Sequence, residues 1–287
     1  CKMPILGYNN SGNTQTVDIN PESAYSETGY STEDDVRATN WHYAVAGSKA
    51  SGDSHVVAPK NTFNMYCNRE PRFYISVVYN EQYHWGKGKT TNFFFNGEDG
   101  QPSHDNPSAG YLIRKHVDPT FVHSTNTGTY KSRQGILYRL AEAYLSYAES
   151  ALEYSMAKGT YDVDKADIVK YINKIRERAG IPQYGTSGLE IPTDPKEMRK
   201  LIRRERRVEM NCEGGLRWFD LRRWKEAEDV LDGNFYGMNM LAEKGNRDEF
   251  YKRVRYQTRK FKSYWWPIPQ NEIDKNPNLK QMPGWMN

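Results

Sequence analysis

Two glutamates, Glu205 and Glu209, stand four positions apart in the most highly charged stretch of the chain, residues 199–209. Side chains with this spacing lie side by side on a helix, and glycoside hydrolases use two carboxyl groups about 5–10 Å apart for catalysis. An acid and a base, however, need pKa values that are pushed apart. The arginines around both glutamates lower the two pKa values together, so the pattern favours a structural ion-pair network over catalysis.

The arginines of this stretch also raise the question of nucleic-acid binding, because phosphates select clusters of Arg and Lys. The helical phase argues against it, since Met198, Ile202 and Val208 form a buried stripe that carries both glutamates inward. Buried carboxylates need partners, and Arg217 or Arg222 in the next element is the expected source of them. The whole chain has 40 basic and 36 acidic residues. With so small an excess, we expect no nucleic-acid partner.

Motifs for catalysis and metal binding are missing from the sequence. The six histidines never fall in pairs at ligand spacing, and Cys1, Cys67 and Cys212 lack the Cys-x-x-Cys spacing of a zinc site. No nucleophile elbow, zinc-protease motif, P-loop or dinucleotide-binding fingerprint occurs. The sequence therefore predicts no catalytic residue, no metal site and no cofactor.

Aromatic residues in irregular segments carry the stronger functional signal. The chain holds 21 Tyr and 7 Trp, and Trp41, Tyr43, Tyr83 and Trp85 lie where no periodic element requires a ring to fill a core. Flat rings beside Asn, Asp and Arg form surfaces on which sugar rings lie. We therefore predict these four residues as the ligand-binding site. Taken singly, each is explained slightly better as filling the underside of a loop, and the phenylalanines at 93–95 clearly so.

The elements that must hold these rings include two predicted strands. Residues 1–66 and 81–109 are rich in the small and polar residues of loops. Between them, the β-branched and aromatic run at 72–80 predicts a strand, and a second short strand is predicted at 111–117. No apolar stretch reaches the roughly 18 residues that a membrane helix needs.

Helices are predicted from about residue 134 onward. Apolar residues recur at intervals of three and four up to Leu152, and Asp164 can cap a second helix that ends before Gly180. Together they predict one helical hairpin of the tetratricopeptide type. Such hairpins usually stack at least three deep, so we expect the stacking partners to lie outside this chain. Two further helices are predicted at 195–212 and 218–231, and an extended segment at 264–269.

Six ordered blocks of the sequence resemble the SusD/RagB family. One block contains Arg-Glu-Arg-Arg-Val-Glu at 204–209, and another is the closing Trp-Pro-Ile-Pro-Gln-Asn-Glu-Ile at 266–273. The blocks lie at 68–74, 110–115, 137–149, 171–180, 204–224 and 266–281. The resemblance implies a mainly α fold with long irregular loops and a few short strands, in which one tetratricopeptide-type hairpin is retained.

The resemblance also implies a function. Members of this family are outer-membrane lipoproteins of Bacteroidetes that capture glycans at the cell surface and deliver them to a SusC-type TonB-dependent transporter, without catalytic residues of their own. Attachment to the membrane would be through a lipid anchor alone, and Cys1 is either the lipid-bearing residue or merely the first residue of the chain. Two alternatives stay open: a peptide-binding or transporter-docking module without affinity for glycans, and a glycoside hydrolase.

Family members are nearly twice as long as this chain and begin with a half built from tetratricopeptide-type helices. We therefore expect residues 1–287 to form a single SusD-like C-terminal region that lacks the N-terminal helical half. Within it we expect a loop-rich part for ligand and partner at 1–134, the helical hairpin at 135–180, and helices with an extended end at 181–287. Ligand contacts vary within the family, so no binding residue carries over from it.

Overall fold

The computed structural model describes residues 28–38, 54–67, 69–83, 90–115, 117 and 135–286, together with three two-residue strands in the remaining part of the chain. The helices are α1 (Pro71–Ser76), α2 (Leu140–Lys158), α3 (Tyr161–Arg178), α4 (Pro195–Glu209), α5 (Leu216–Arg223), α6 (Ala227–Leu231), α7 (Arg247–Phe250) and α8 (Gln270–Lys275). The strands are β1 (Met3–Pro4), β2 (Asp18–Ile19), β3 (Asp35–Ala38), β4 (Ser48–Lys49), β5 (Ser54–Ala58), β6 (Val77–Tyr79), β7 (Tyr111–Ile113), β8 (Gly233–Met238) and β9 (Arg253–Arg259). The expected fold class, mainly helical with a few short strands, is confirmed.

The described strands pair in four small antiparallel sheets. Three of them are pairs, β1 with β2, β6 with β7, and β8 with β9, while β5 lies between β3 and β4 in the fourth. None of these sheets is large enough to form a core by itself. The strands therefore depend on the side chains packed around them.

The helical hairpin consists of α2 and α3. Gly159 ends α2 in the left-handed conformation, with φ of 71°, and this lets the chain reverse into α3 after one further residue. The apolar faces of the two helices meet the face of α4 in one buried cluster that includes Leu152, Ile168, Ile172 and Ile202. The predicted hairpin is confirmed, and α4 is a third helix of the same core.

Three helix boundaries differ from the predictions. The first helix begins at Leu140 rather than near 134, because Arg139 is extended and directs its side chain to Glu209 and Glu213. Asp164 does not begin α3, which starts at Tyr161. The predicted helix at 218–231 is two helices, α5 and α6, separated by Lys225 at a φ of 60°.

The predicted strand at 72–80 is wrong over most of its length. Residues 71–76 form α1, and only Val77–Tyr79 is extended. Pro71 occupies the first turn of α1, where its missing N–H costs nothing. The helix directs Arg72 to Glu205 and Glu209 on α4 and buries Phe73 and Tyr74. These tertiary contacts override the strand propensity of the aromatic and β-branched residues.

The second large core is built mainly from aromatic rings. Tyr66 and Tyr79 stack with ring centroids 4.3 Å apart, and Phe63 and Tyr251 stack at the same distance. Phe93 and Phe94 are buried in this core. The interpretation of the phenylalanines as filling the underside of a loop is thus confirmed for these two.

The strand pair β8 and β9 has no counterpart among the predicted elements. Gly and Asn occupy three of the six positions of β8 and indicate loop, whereas β9 contains neither. Met238, Phe250 and Tyr251 nevertheless enter the aromatic core. Their packing holds the two strands together in spite of the weak local signal. None of the helices in the described part of the chain is long and apolar enough to cross a membrane.

Candidate ligand-binding groove

Of the four predicted site residues, only Tyr83 lies among the described residues, and Trp41, Tyr43 and Trp85 lie outside them. Tyr83 is half-buried, and its backbone pairs with that of Thr90 in an antiparallel bridge. Beside it, the N–H of Thr91 donates to the carbonyl of Gln82 at 2.8 Å. Tyr83 therefore lies in a hydrogen-bonded stretch of backbone, two residues before Trp85 in the sequence.

A polar groove of about 730 Å³ borders the aromatic core at Tyr30. Its lining includes β3 and the residues just before it. We call it the Tyr30 groove, and the residues that matter below are Tyr30, Glu33, Asp34, Asp35, Arg37 and Asn64. Strand β3 ends at Ala38, three positions before Trp41. Trp41 and Tyr43 therefore follow, closely in the sequence, a strand that lines this groove.

Tyr30 forms an aromatic wall of the groove and is held from several sides. Its hydroxyl donates to Asp248 Oδ1 at 2.7 Å, and its ring packs edge-on against Phe63 and Tyr251. Arg247 lies over the ring, 4.2 Å from the centroid. Burial and the hydrogen bond to Asp248 raise the pKa of Tyr30, so its hydroxyl remains a donor. The ring is fixed before any ligand arrives.

Arg247 connects Tyr30 to the segment of Tyr83. Its Nη2 donates to Glu81 Oε2 at 2.6 Å, and the same carboxylate oxygen accepts from the hydroxyl of Tyr251 at 3.2 Å. Glu81 precedes Tyr83 by two residues. The predicted site residue Tyr83 and the Tyr30 groove therefore belong to one connected part of the structure.

The rest of the groove presents hydrogen-bonding groups beside the ring. Glu33 and Asp34 are exposed, and Asp34 Oδ1 accepts from the backbone N–H of Lys60 at 2.5 Å. Arg37 Nη2 donates to Asp35 Oδ2 at 2.9 Å. Carboxylates accept hydrogen bonds and guanidinium groups donate them, so this surface can satisfy several hydroxyl groups of one ligand. Such an arrangement of a flat ring and polar groups suits a sugar.

A second cleft, of about 570 Å³, lies beside the glutamates that first suggested catalysis. Arg72 Nη1 bridges the two carboxylates, at 2.6 Å from Glu205 Oε1 and 2.9 Å from Glu209 Oε2. Arg176 pairs with Glu205 at 3.2 Å and Arg139 with Glu209 at 2.6 Å. The predicted ion-pair network is present, but its arginines come from α1, from α3 and from the residue before α2.

The predicted partners Arg217 and Arg222 are wrong. Arg222 Nη1 donates to the carbonyl of Ser263 at 2.8 Å, and the guanidinium of Arg217 lies 5.8 Å from the ring centroid of Trp224. Both residues follow the glutamates closely in the sequence, whereas Arg72 lies 133 positions before Glu205. Proximity along the chain was therefore a poor guide to the partner.

The electrostatics of Glu209 oppose a role as a catalytic acid. Burial by itself would raise the pKa of Glu209, but Arg72, Arg178 and Arg139 outweigh it and lower the pKa to about 2. A carboxyl group with this pKa is ionised at neutral pH and is occupied by its arginines. Among the residues that the structure describes, no group of three or more His, Cys, Asp or Glu side chains is placed to hold a metal ion.

The comparisons with known proteins agree with the fold. The model of the SusD family matches residues 6–285. The chain belongs to the SusD family. A SusD-like protein P2 from Formosa agariphila is 30% identical over 156 residues, which are 54% of this chain and 26% of that protein.

Two solved structures show the same relationship in three dimensions. The protein BT4246 shares 25% sequence identity and a TM-score of 0.68, over 97% of this SusD-family chain and 44% of the other. A SusD-like protein from Bacteroides fragilis shares 30% identity and a TM-score of 0.61, over 78% of this chain and 40% of the other. The chain thus spans less than half the length of the relatives that it matches.

Sequence reasoning missed Tyr30, Asp35 and Arg37 as site residues. They lie in a Gly-, Ser- and Thr-rich segment without periodicity, and nothing local distinguishes Tyr30 from the other tyrosines of the first 66 residues. The groove arises from contacts of Tyr30 with Arg247 and Asp248, which lie 217 and 218 positions later in the sequence. The adjacent carboxylates at 33–35 were the one local signal for a polar surface.

Proposed function

We propose that this chain is the glycan-binding part of an outer-membrane, surface-exposed lipoprotein that captures oligosaccharides without cleaving them. Membership of the SusD family, a family of carbohydrate-binding proteins, is the observation that carries the proposal. The family is also associated with the outer-membrane surface. A SusC-type TonB-dependent transporter that receives the ligand and a lipid anchor that holds the protein at the membrane complete the proposal.

The proposed binding site combines the predicted rings with the Tyr30 groove. Trp41, Tyr43, Tyr83 and Trp85 would stack on the faces of sugar units, and the carboxylates and Arg37 would bind their hydroxyl groups. Support comes from the short connection between β3 and Trp41 and from the bridge of Arg247 between Tyr30 and Glu81. The site needs no metal and no cofactor.

Glycan hydrolysis is the weaker candidate, because the two glutamates that suggested it are committed to ion pairs. Glu205 and Glu209 are 0% and 3% exposed and are held by arginines on all sides that the structure describes. A substrate would have to displace those guanidinium groups before it reached a carboxyl oxygen. We propose that the pair is structural.

A glycan array followed by calorimetry tests the proposal. The wild-type chain should bind a defined class of oligosaccharide, and Trp85→Ala should weaken that binding about tenfold, as expected for the loss of one stacked ring. Trp265→Ala is the matched control, because Trp265 is exposed and lies outside the proposed site. Its affinity should equal that of the wild type.

Each possible result separates the candidates. Equal affinity of the Trp85→Ala and wild-type chains would move the site elsewhere. No hit on the array, combined with co-purification of a transporter, would favour the transporter-docking alternative. Release of reducing sugar that disappears in Glu205→Gln would favour the hydrolase.

A further inference from the structure

Arg247, the first residue of α7, contacts three segments that are far apart in the sequence. Its Nη2 donates to the carbonyl of Asn61 and to Glu81 Oε2, the latter at 2.6 Å. Its guanidinium lies 4.2 Å from the ring centroid of Tyr30. We call these four residues the Arg247 cluster. A single side chain therefore joins the Tyr30 groove to the turns at Asn61 and Glu81.

Two members of the Arg247 cluster have an uncommon backbone conformation. Asn61 and Glu81 both have a φ of 66°, in the left-handed region. Asparagine is enriched in this region, but glutamate is not. A left-handed glutamate costs free energy, and it persists only where the surrounding contacts fix it. The same guanidinium, that of Arg247, binds both turns.

The contacts of Glu81 fix the start of the segment that carries Tyr83. The carboxylate oxygen that binds Arg247 also accepts from the hydroxyl of Tyr251, at 3.2 Å. The backbone N–H of Glu81 donates to the carbonyl of Thr91 at 3.0 Å. Tyr83 follows Glu81 by two residues. The position of the predicted ligand contact Tyr83 therefore depends on the ion pair of Glu81 with Arg247.

The orientation of Tyr30 depends on the same helix. Arg247 lies over its ring, and Asp248 accepts the hydrogen bond of its hydroxyl at 2.7 Å. Phe63 and Tyr251 contact the ring edge-on. A ring that is held in advance loses little rotamer freedom when a ligand binds. Two adjacent residues of α7 therefore fix both the plane of Tyr30 and the direction of its hydroxyl.

The ion pair of Arg247 with Glu81 is poorly placed to stabilise the fold. The two side chains are 26% and 20% exposed, and ion pairs that solvent reaches contribute little to stability. Arg247 Nε is buried without a hydrogen-bond partner among the described residues, and the left-handed backbone of Glu81 is a second cost. Arrangements that cost stability and fix geometry are typical of functional sites. The adjacent groove therefore explains the cluster better than the stability of the fold does.

We infer that Arg247 is a positioning residue of the glycan site: it fixes Tyr30 and the turn before Tyr83 in one arrangement, so that both rings meet a ligand together. Arg247 does not line the Tyr30 groove itself and acts through Tyr30 and Glu81. Without it, the ligand would have to order each ring, at a cost in affinity. The inference rests on the proposed function in taking Tyr30 and Tyr83 as ligand contacts.

Glu81→Gly separates positioning from stability. Glycine adopts the left-handed conformation without strain but cannot pair with Arg247. We expect the affinity to fall about tenfold, the cost of ordering the released side chains, whereas the midpoint of urea unfolding should not fall. Calorimetry measures the affinity, with the array oligosaccharide that the wild-type chain binds most tightly as the probe for every variant. Unchanged affinity, or a loss of affinity together with a lower midpoint, would overturn the inference.

Lys225→Gly is the matched control. Lys225 is also left-handed, with a φ of 60°, and it is exposed between α5 and α6, outside the Arg247 cluster. Its variant should bind the probe as tightly as the wild type does. An equal loss of affinity in the Glu81→Gly and Lys225→Gly chains would assign the effect to general backbone flexibility and overturn the inference.

Two substitutions of Arg247 test the link directly. Arg247→Met should lower the affinity about tenfold, and Arg247→Lys should recover part of the loss, because it keeps a cation that can pair with Glu81. Arg247→Met combined with Glu81→Gly should lose no more than Arg247→Met alone, since both remove the same link. A loss of about a hundredfold in the double variant would show two independent effects and overturn the inference.

Fluorine NMR of the chain labelled with 3-fluorotyrosine provides a measurement that needs no ligand. Tyr30→Phe assigns the signal of Tyr30 by its disappearance. Arg247→Met should shift and broaden that signal, because the ring loses the cation above it and its fixed orientation. Arg255→Met is the control, since Arg255 is an exposed residue of β9, and it should leave the signal in place. An unchanged Tyr30 signal in Arg247→Met would overturn the inference.

The failure of the inference differs from that of the proposed function. If the array yields a glycan and Arg247→Met binds it as the wild type does, Arg247 is not a positioning residue and the proposed function stands. If no glycan of any class binds, the proposed function fails and the inference fails with it.

Discussion

Around Glu205 the chain buries carboxylates and guanidinium groups between helices, whereas around Tyr66 it buries rings between short strands and loops. Glu205 and Arg176 are both fully buried and bonded to each other at 3.2 Å, and Tyr66 and Tyr79 are equally buried and stacked at 4.3 Å. We call the two parts the charged core and the aromatic core. Ion pairs depend on the protonation of both partners, whereas the burial of ring surface does not.

This difference separates the ion-pair scaffold from the proposed ligand-binding site. The cleft beside the charged core has its polar groups committed to one another. The Tyr30 groove instead borders the aromatic core, through Tyr30 and Cys67. Glu205 and Glu209 are buried, whereas Glu33 and Asp34 at the Tyr30 groove are exposed, where a ligand can reach them. The comparison teaches that burial of charge is a poor marker of a binding site in this molecule.

Glu205→Ala is the strongest test of the difference between the two cores. It leaves Arg176 buried without this carboxylate, and we expect the free energy of unfolding to fall by about 3–5 kcal/mol, as for other broken buried pairs. Urea denaturation followed by circular dichroism measures the loss. Glu197→Ala on the same helix is the control, since its pairing with Lys200 is exposed, and it should cost less than about 0.5 kcal/mol. Similar small losses in both variants would show that the charged core is not held by its ion pairs.

Acid should unfold the charged core first. The pKa of Glu209 is lowered from 4.5 to about 2 in the folded chain, so its ionised form stabilises the fold above pH 4.5, and this contribution is lost as the pH falls towards 2. The loss is on the order of 3 kcal/mol. Urea titrations between pH 6 and pH 2.5 measure it.

Glu209→Gln provides the control for this pH dependence. The variant lacks the titrating group, so its stability curve should be flatter over the same range than that of the wild type. Burial raises the pKa of Glu70 by more than the neighbouring Arg72 lowers it. Glu70 therefore changes stability with pH in the direction opposite to that of Glu209. A wild-type curve as flat as that of the variant would contradict the assignment.

The aromatic core should respond least, and without regard to pH. Tyr66→Phe removes the hydroxyl that lies 3.0 Å from the hydroxyl of Tyr111, and we expect a loss of about 1 kcal/mol, typical of one hydrogen bond. Burial raises the pKa of Tyr66, so its hydroxyl stays neutral and the loss should be constant from pH 3 to pH 8. Tyr154→Phe, at an exposed position of α2, should cost nothing measurable. A loss that varies with pH would mean that the two cores are coupled.

The sequence alone predicted what is encoded locally. The hairpin of α2 and α3 follows from apolar residues at intervals of three and four, and the burial of Glu205 and Glu209 follows from the phase of the same pattern on α4. The strand predicted at 72–80 is wrong because the position of Arg72 depends on its ion pair with Glu205, 133 positions later. Secondary-structure propensity contains no information about such a partner.

The candidate sites also divide into features that are encoded locally and features that depend on distant partners. The choice of aromatic residues in irregular segments as ligand contacts stays a prediction, with Tyr83 alone among the described residues. The Tyr30 groove was out of reach of sequence reasoning, because it depends on contacts such as that of Tyr30 with Asp248, 218 positions later.

The long span between Tyr30 and Asp248 has a consequence for synthesis of the chain. The helical hairpin closes over neighbouring residues, so it can form as soon as α3 has left the ribosome. The aromatic core joins residues 57–79 to residues 238–251 and must wait until residues 238–251 have emerged. During that interval, the rings among residues 57–79 are exposed to solvent and prone to association. A chain cut short before β8 would keep the residues of the helical hairpin and lose Arg247 and Asp248, which hold Tyr30 in place.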